Sequence, residues 1–375
     1  MKSLPLLLLS VVFLLGPSMV MGASSQDVAA YEWTKVFDGQ DAYWARRAGL
    51  QVVELRNTFY LMGGRTPLDP SIPFASIIWA DVWRSEDRGV SWELIADQQW
   101  PARAYFQAVS KGGHMYVLGG QDFGLFGSPS NFFSDVWRSK DGVDWEQMTA
   151  DAGWAGRAGL SAVVFKGEIY VFGGSQGDDI ATGGPGRTFF NDVWKSPDGR
   201  TWEMVTDAAP WEPRAGASAL VKDGHIYLLG GEDGFVCEPL PFCDPPYFND
   251  VWRSRDGYVW ELVTPFAEWS KRPGHQCQVL INNIVCFGGF GLLENPMDVW
   301  VSRDGYDWEQ VSDSPWNAET SDDIKYDFDA LAVEGGKGGG RIYTFGGDRE
   351  RFDLPPEVNF FRVDDEVWRF APPGR

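Results

Sequence analysis

The sequence predicts an all-β fold: one ring of six blades, each of four antiparallel strands. Three observations carry this. Six times in 375 residues an apolar stretch ends in Gly-Gly and is followed by a loop and an Asp-Val-Trp or near copy, and in the first five a second Trp follows. The glycine pairs are Gly63-Gly64, Gly119-Gly120, Gly173-Gly174, Gly230-Gly231, Gly288-Gly289 and Gly346-Gly347. The first tryptophans, Trp83, Trp137, Trp194, Trp252, Trp300 and Trp368, are spaced by 54, 57, 58, 48 and 68 residues, the signature of a β-propeller. Finally, the last unit stops before an outer strand, and Tyr31-Glu32-Trp33-Thr34-Lys35-Val36 copies the outer strand Trp202-Glu203-Met204-Val205. The N-terminal segment is therefore expected to complete the C-terminal blade and remove a free sheet edge.

In chain order, residues 1–22 are expected to be an export signal. Lys2 gives the charged start, Leu4 to Leu15 a short apolar run, and Gly22-Ala23-Ser24-Ser25 a small-residue exit. The run is too short to span a bilayer. The propeller is expected over 31–370, with blades near 44–95, 100–148, 154–205, 211–263, 269–311, and 316–370 completed by 31–36. Blade three shows the grammar. From the inside outwards, strand A covers Arg157 to Phe165 and strand B Ile169 to Phe172; strand C covers Asp192 to Ser196 and strand D Thr201 to Val205. Gly173-Gly174 ends strand B, where a residue without Cβ lets the chain bend or approach a neighbour closely.

Charge and cysteines bound the class. The net charge is −21, and −22 once Lys2 leaves with the signal, which argues against nucleic acid or an anionic membrane as partner. Four cysteines in an exported chain favour disulfides. Cys237 and Cys243 bracket a Pro-rich loop. Cys277 and Cys286 face each other across a hairpin if its turn falls at Ile281-Asn282; the alternative for the second pair is two buried thiols. The expected location is secreted or periplasmic.

This pattern resembles the Kelch repeat over roughly residues 31 to 370. The turn Ser85-Glu86-Asp87-Arg88-Gly89-Val90-Ser91-Trp92 resembles the Asp-box of sialidase-type propellers, and four shorter copies follow, such as Ser139 to Trp145. In the families that carry them these boxes are structural, and they are read so here.

Strand parity fixes the working face. In an up-and-down blade the D–A and B–C connections share one rim, and the B–C loops are long and different in each blade, the usual seat of binding. On the same rim the D–A connections read Trp44-Ala45-Arg46-Arg47, Trp100-Pro101-Ala102-Arg103, Trp154-Ala155-Gly156-Arg157, Trp211-Glu212-Pro213-Arg214 and Trp269-Ser270-Lys271-Arg272. Arg47, Arg103, Arg157, Arg214 and Arg272 are expected to form a broken ring at the channel mouth, with forks suited to an anionic ligand. Blade six breaks the pattern, and Tyr326 or Asp327 is expected at the arginine position. A residue repeated in five blades can equally be structural, each Arg stacking on its local Trp or hydrogen-bonding a neighbouring blade's Asp or carbonyl groups. In cytosolic Kelch adaptors arginines at this place bind acidic peptides, which is what the resemblance implies.

Other chemistry is thinly supported. The galactose-oxidase relatives need two copper-ligating histidines, two tyrosines and a Tyr–Cys link. Here His114 and His225 fall beside A–B turns on the opposite rim, and His275 is expected inside strand A. No cofactor is expected. Asp322, Asp323, Asp327 and Asp329 include possible carboxylate pairs. Loops such as Glu232-Asp233-Gly234 leave calcium open without matching an EF-hand. Rim aromatics such as Phe123, Phe126, Phe235 and Tyr247 would suit sugar stacking or plug the mouth. Three functions follow: a binding module for an anionic small molecule, glycan or acidic protein segment; a carbohydrate-active enzyme, an epimerase like the Kelch sialic-acid epimerases, or a hydrolase or lyase on acidic sugars; or a structural envelope protein with no small ligand.

Overall fold

The computed structural model describes residues 28–39, 43–67, 76–122, 130–177, 186–234, 245–291, 296–317, 324–334, 339–349 and 363–374. The expected leader, the Cys237–Cys243 loop, Asp322, Asp323, Phe123, Phe126 and Phe235 lie outside the described residues.

Six four-stranded antiparallel sheets form the blades, beside two two-stranded ribbons, Arg65–Pro67 with Ser76–Ile78 and Ser175–Gln176 with Thr188–Phe189. The innermost strands of the blades are Gln51–Leu55, Gln107–Lys111, Ser161–Phe165, Ser218–Lys222, Gln276–Leu280 and Asp329–Val333. Each touches the next, and the last touches the first, so the ring is closed. The N-terminal strand Glu32–Phe37 pairs antiparallel with Val363–Ala371 and supplies the outer strand of blade six, as its sequence implies. Among the described residues no helix is long and apolar enough to cross a membrane.

Between neighbouring blades the core is aromatic. Trp44, Trp100, Trp154, Trp211 and Trp269 are buried and meet the Asp-box tryptophans Trp92, Trp145, Trp202, Trp260 and Trp308 edge-on at 5.9–6.2 Å. In blade six Trp316 meets Trp33 of the N-terminal strand instead. Such edge-to-face pairs contribute about 0.5–1.5 kcal/mol beyond the area they bury.

The Asp-boxes are turns held by their own side chains. In blade two the Asp141 carboxylate accepts from the N–H groups of Val143 and Asp144, Ser139 Oγ accepts from Gly142 N–H, and Trp145 Nε1 donates to Gly142 O. Burial would raise the Asp141 pKa, but the Asp144 and Val143 amides, the Ser139 hydroxyl and Lys140 outweigh it and hold the pKa below the usual value.

The hairpin register Cys277↔Cys286 forms around Ile281-Asn282, and the two cysteines are disulfide-bonded with their Cα atoms 4.1 Å apart.

Two rings of backbone hydrogen bonds bring the blades to a common mouth on the loop-bearing rim. In the outer one, the second glycine of each pair donates to the carbonyl at the arginine position of the next blade: Gly64 to Arg103, Gly120 to Arg157, Gly174 to Arg214, Gly231 to Arg272, Gly289 to Lys325 and Gly347 to Arg47. A Cβ at Gly231, where φ is +101°, would stand 2.7 Å from the Ala215 carbonyl, so glycine is required there. In the inner ring, Gly49 donates to Asp327, Asp327 to Gly274, Gly274 to Gly216, Gly216 to Gly159, Gly159 to Tyr105 and Tyr105 to Gly49, at 2.8–3.0 Å. All six have φ between +50° and +65°, so Tyr105 and Asp327 hold a conformation that suits glycine better.

Candidate functional site at the channel mouth

The arginines of the D–A connections are placed differently from the expectation. Arg47, Arg103, Arg157, Arg214 and Arg272 are 0–2 % exposed and do not open onto the mouth. Each forks onto the Asp that begins its own Asp-Val-Trp: Arg47 onto Asp81, Arg103 onto Asp135, Arg157 onto Asp192, Arg214 onto Asp250 and Arg272 onto Asp298, at 2.5–3.1 Å. Nη1 also donates to the first glycine carbonyl of the pair, as from Arg157 to Gly173 at 2.9 Å, and Nε to the carbonyl two residues earlier. An aromatic face covers four of the guanidiniums: Trp79, Phe133, Phe190 and Phe248 lie 4.1–4.6 Å away. In blades one to four the same Asp takes the indole N–H of its Trp, as Trp194 Nε1 donates to Asp192 at 2.8 Å. The physical reason is complementarity within the repeat, since every blade with the Arg also encodes its carboxylate.

Blade six needs a second correction. Neither Tyr326 nor Asp327 takes the arginine position; Lys325 does, as its carbonyl in the outer backbone ring shows. Its buried Nζ meets both oxygens of Asp364 at 3.0–3.1 Å, and Arg349 meets the same carboxylate at 3.0 Å. Burial lowers the Lys325 pKa, against the Asp364 charge. Tyr326 is buried against Phe290 at 5.1 Å, in an apolar cluster with Tyr247 and Ile324.

Asp327 does reach the mouth, together with residues contributed by the other blades. The residue following each Gly-Gly sits beside the inner ring through a bridge or hydrogen bond to the start of strand A, and it differs in every blade: Arg65, Gln121, Ser175, Glu232, Phe290 and Asp348. Arg65 of blade one donates from Nε to the Tyr105 hydroxyl of blade two at 2.6 Å and from Nη2 to Asp348 of blade six at 2.8 Å. Arg187 of blade three meets Glu232 of blade four at 2.6 Å and Ser175 Oγ at 2.9 Å. Burial, then the Asp348 charge, pushes the Asp327 pKa up to about 7, with Arg65 opposing. Burial raises the Asp348 pKa as well, and Arg65 again opposes it. Tyr105 is raised by burial too. The site therefore holds two cations, three carboxyl groups and a phenol, so hydroxyl-rich molecules can be met by both donors and acceptors.

Asp329 does not join Asp327; its carboxylate accepts from Val52 N–H of blade one at 2.5 Å and from Ala330 N–H. His114 and His225 lie at A–B turns, each with Nδ1 against the carbonyl two residues back. His275 packs on Trp269 at 5.3 Å, and burial lowers its pKa to about 3, keeping it neutral. Among the described residues no group of three or more His, Cys, Asp or Glu is placed to hold a metal ion.

Comparison with known proteins agrees with this architecture. Kelch domain-containing protein 3 of Bos taurus is 27% identical over 201 residues, 49% of this chain and 47% of that protein, and its Rattus norvegicus counterpart is 26% identical over the same shares. N-acetylneuraminate epimerase of Pasteurella multocida (strain Pm70) is 30% identical over 109 residues, 29% of this chain and 27% of that protein. The chain spans about half the length, or less, of the curated relatives it matches. Residues 49–289 match the KLHDC2/KLHL20/DRC7 Kelch-repeats domain, and with six closed blades the chain belongs to the Kelch-repeat family.

Proposed function

We propose that this protein is an exported Kelch propeller that binds a polar, glycan-like ligand at the loop-bearing channel mouth. The observation that carries the reading is the Arg65–Tyr105–Asp348 link, which joins blades one, two and six where the sixfold pattern is broken. A symmetric ring offers the same contacts six times over; here every blade offers a different one. The two mouth arginines face Asp348 and Glu232, so a ligand with both hydroxyl donors and acceptors suits the site better than a polyanion. The apolar run at residues 4–15 and the Cys277–Cys286 bridge support export. The test is a glycan and metabolite thermal-shift screen on wild type and on Arg65→Ala. Ligands that stabilise wild type should stabilise Arg65→Ala less. Equal stabilisation of both would remove the mouth as the site.

The carbohydrate-active reading has its own support. Burial and the Asp348 charge raise the Asp327 pKa to about 7, and Arg65 joins Asp348 to the Tyr105 phenol, a setting for proton transfer at neutral pH. One relative is named as an N-acetylneuraminate epimerase. Proton NMR of freshly dissolved N-acetylneuraminate would show faster anomer exchange with wild type than with Asp327→Asn. An unchanged rate with wild type would exclude that substrate.

A further inference from the structure

A second cavity lies away from the mouth, at the seam where blade six meets blade one. Its volume is about 220 Å³, and it is lined by Tyr43, Trp44, Trp79 and Trp83 together with Arg46, Arg47, Asp81 and Asp365. This is below the roughly 300–1,000 Å³ of drug-sized pockets and suits one ring rather than a chain.

In two sister seams the residue before the Asp-Val-Trp Asp is Asn, and its amide ties down the incoming connection. Asn191 Nδ2 donates to the Ala209 and Trp211 carbonyls at 3.0 and 3.2 Å, and Asn249 Nδ2 donates to those of Ala267 and Trp269 at 2.9 Å. Here the equivalent residue is Asp365, a carboxylate with no N–H to donate. It is 3 % exposed, and its ion pair in the structure is with Arg46 at 3.5 Å. Arg46 itself stands where blade two has Ala102 and blade three Gly156, and Trp79 where other blades have Phe133, Phe190 and Phe248. Trp79 and the acid Asp365 stand at these positions in no other blade, and both line this cavity.

We propose that this seam cavity is a separate binding site for a single pyranose unit. Indole faces stack on the C–H face of a sugar ring. The Asp365 carboxylate accepts from its hydroxyls, and the exposed Arg46 guanidinium donates to them. The two arginines and two carboxylates in the lining, Arg46, Arg47, Asp81 and Asp365, pair with one another, so a neutral ring suits the cavity better than an organic cation.

The test uses methyl glycopyranosides as probes, read by tryptophan fluorescence and saturation-transfer NMR. The variants Asp365→Asn, Trp79→Phe and Arg46→Ala each restore the residue of a sister blade, so folding is preserved by design and is checked by melting temperature. At least one methyl pyranoside should bind wild type and Arg65→Ala alike. It should bind Asp365→Asn and Trp79→Phe roughly tenfold more weakly, a loss of about 1.4 kcal/mol. Absence of binding by every pyranoside, retention by the seam variants, or loss in Arg65→Ala would overturn the proposal. So would tetramethylammonium binding in their place.

Discussion

Truncating one clamp arginine is the sharpest perturbation of the blade. Arg157→Ala removes a fully buried guanidinium that donates to Asp192 twice, to Gly173 O and to Ala155 O, under the face of Phe190. Asp192 keeps the Trp194 indole N–H but loses its cation, and two carbonyls lose a donor. Breaking a buried pair by removing one partner costs about 3–5 kcal/mol, and the lost stacking and carbonyl bonds place this case at the upper end. Urea unfolding measures it directly, with Asp192→Ala and the double variant closing a thermodynamic cycle. The singles should each lose several kcal/mol, and the double should lose clearly less than their sum. Arg157→Lys should recover only part, since an ammonium cannot fork. A loss below about 1 kcal/mol, typical of exposed ion pairs, would refute the argument that these arginines hold the blades together.

Further outcomes follow from the same geometry. Gly231→Ala should destabilise by more than about 1 kcal/mol, because the new Cβ meets the Ala215 carbonyl and φ is +101°; thermal melting checks it, and Gly224→Ala, in open space, is the control for positive φ alone. Replacing Cys277 and Cys286 by Ala should cost roughly 2–3 kcal/mol by the loop-entropy relation for a separation of 9 residues, read by chemical denaturation with and without reductant. The Asp327 pKa is raised in the folded state to about 7 from an unfolded value near 3.9. The native state then holds a proton that the unfolded chain has lost, so this group's contribution is complete below about pH 4 and declines as pH rises towards 7. Asp327→Asn should therefore gain on wild type above pH 7 and lose that advantage near pH 4 in melting-temperature scans. The Asp-box carboxylates work in the opposite sense: Asp141 and its equivalents are held below the usual value, so their stabilisation is present above about pH 4 and lost on further acidification.

The scaffold was legible because it is repetitive. Gly-Gly, the Asp-Val-Trp motif and the Asp-box recur in register, and Tyr31 to Val36 carries the outer-strand pattern that the last blade lacks. The Cys277–Cys286 register followed from one turn position. The clamp was written there too, for the Arg and the Asp two residues before each Trp recur together. Reading the arginines as a ligand ring missed that each one's partner lies in its own blade. Blade six was harder. Lys325 is a one-residue step from the expected Tyr326, and the backbone ring settles the alignment through its carbonyl. The mouth was the least legible part. Arg65, Tyr105, Glu232 and Asp348 come from four blades, and only cyclic closure brings them to one opening. The signal available was the residue after each Gly-Gly, variable in every blade, and Tyr105 at a position where four blades have glycine.

Hydrogen–deuterium exchange with and without the strongest glycan found in the screen tests the mouth most directly. Protection should appear in peptides containing Gly49, Arg65, Tyr105, Arg187, Glu232 and Asp348, all on one rim. Protection confined to the Asp-box turns of the opposite rim, around Gly89 and Gly142, would contradict it.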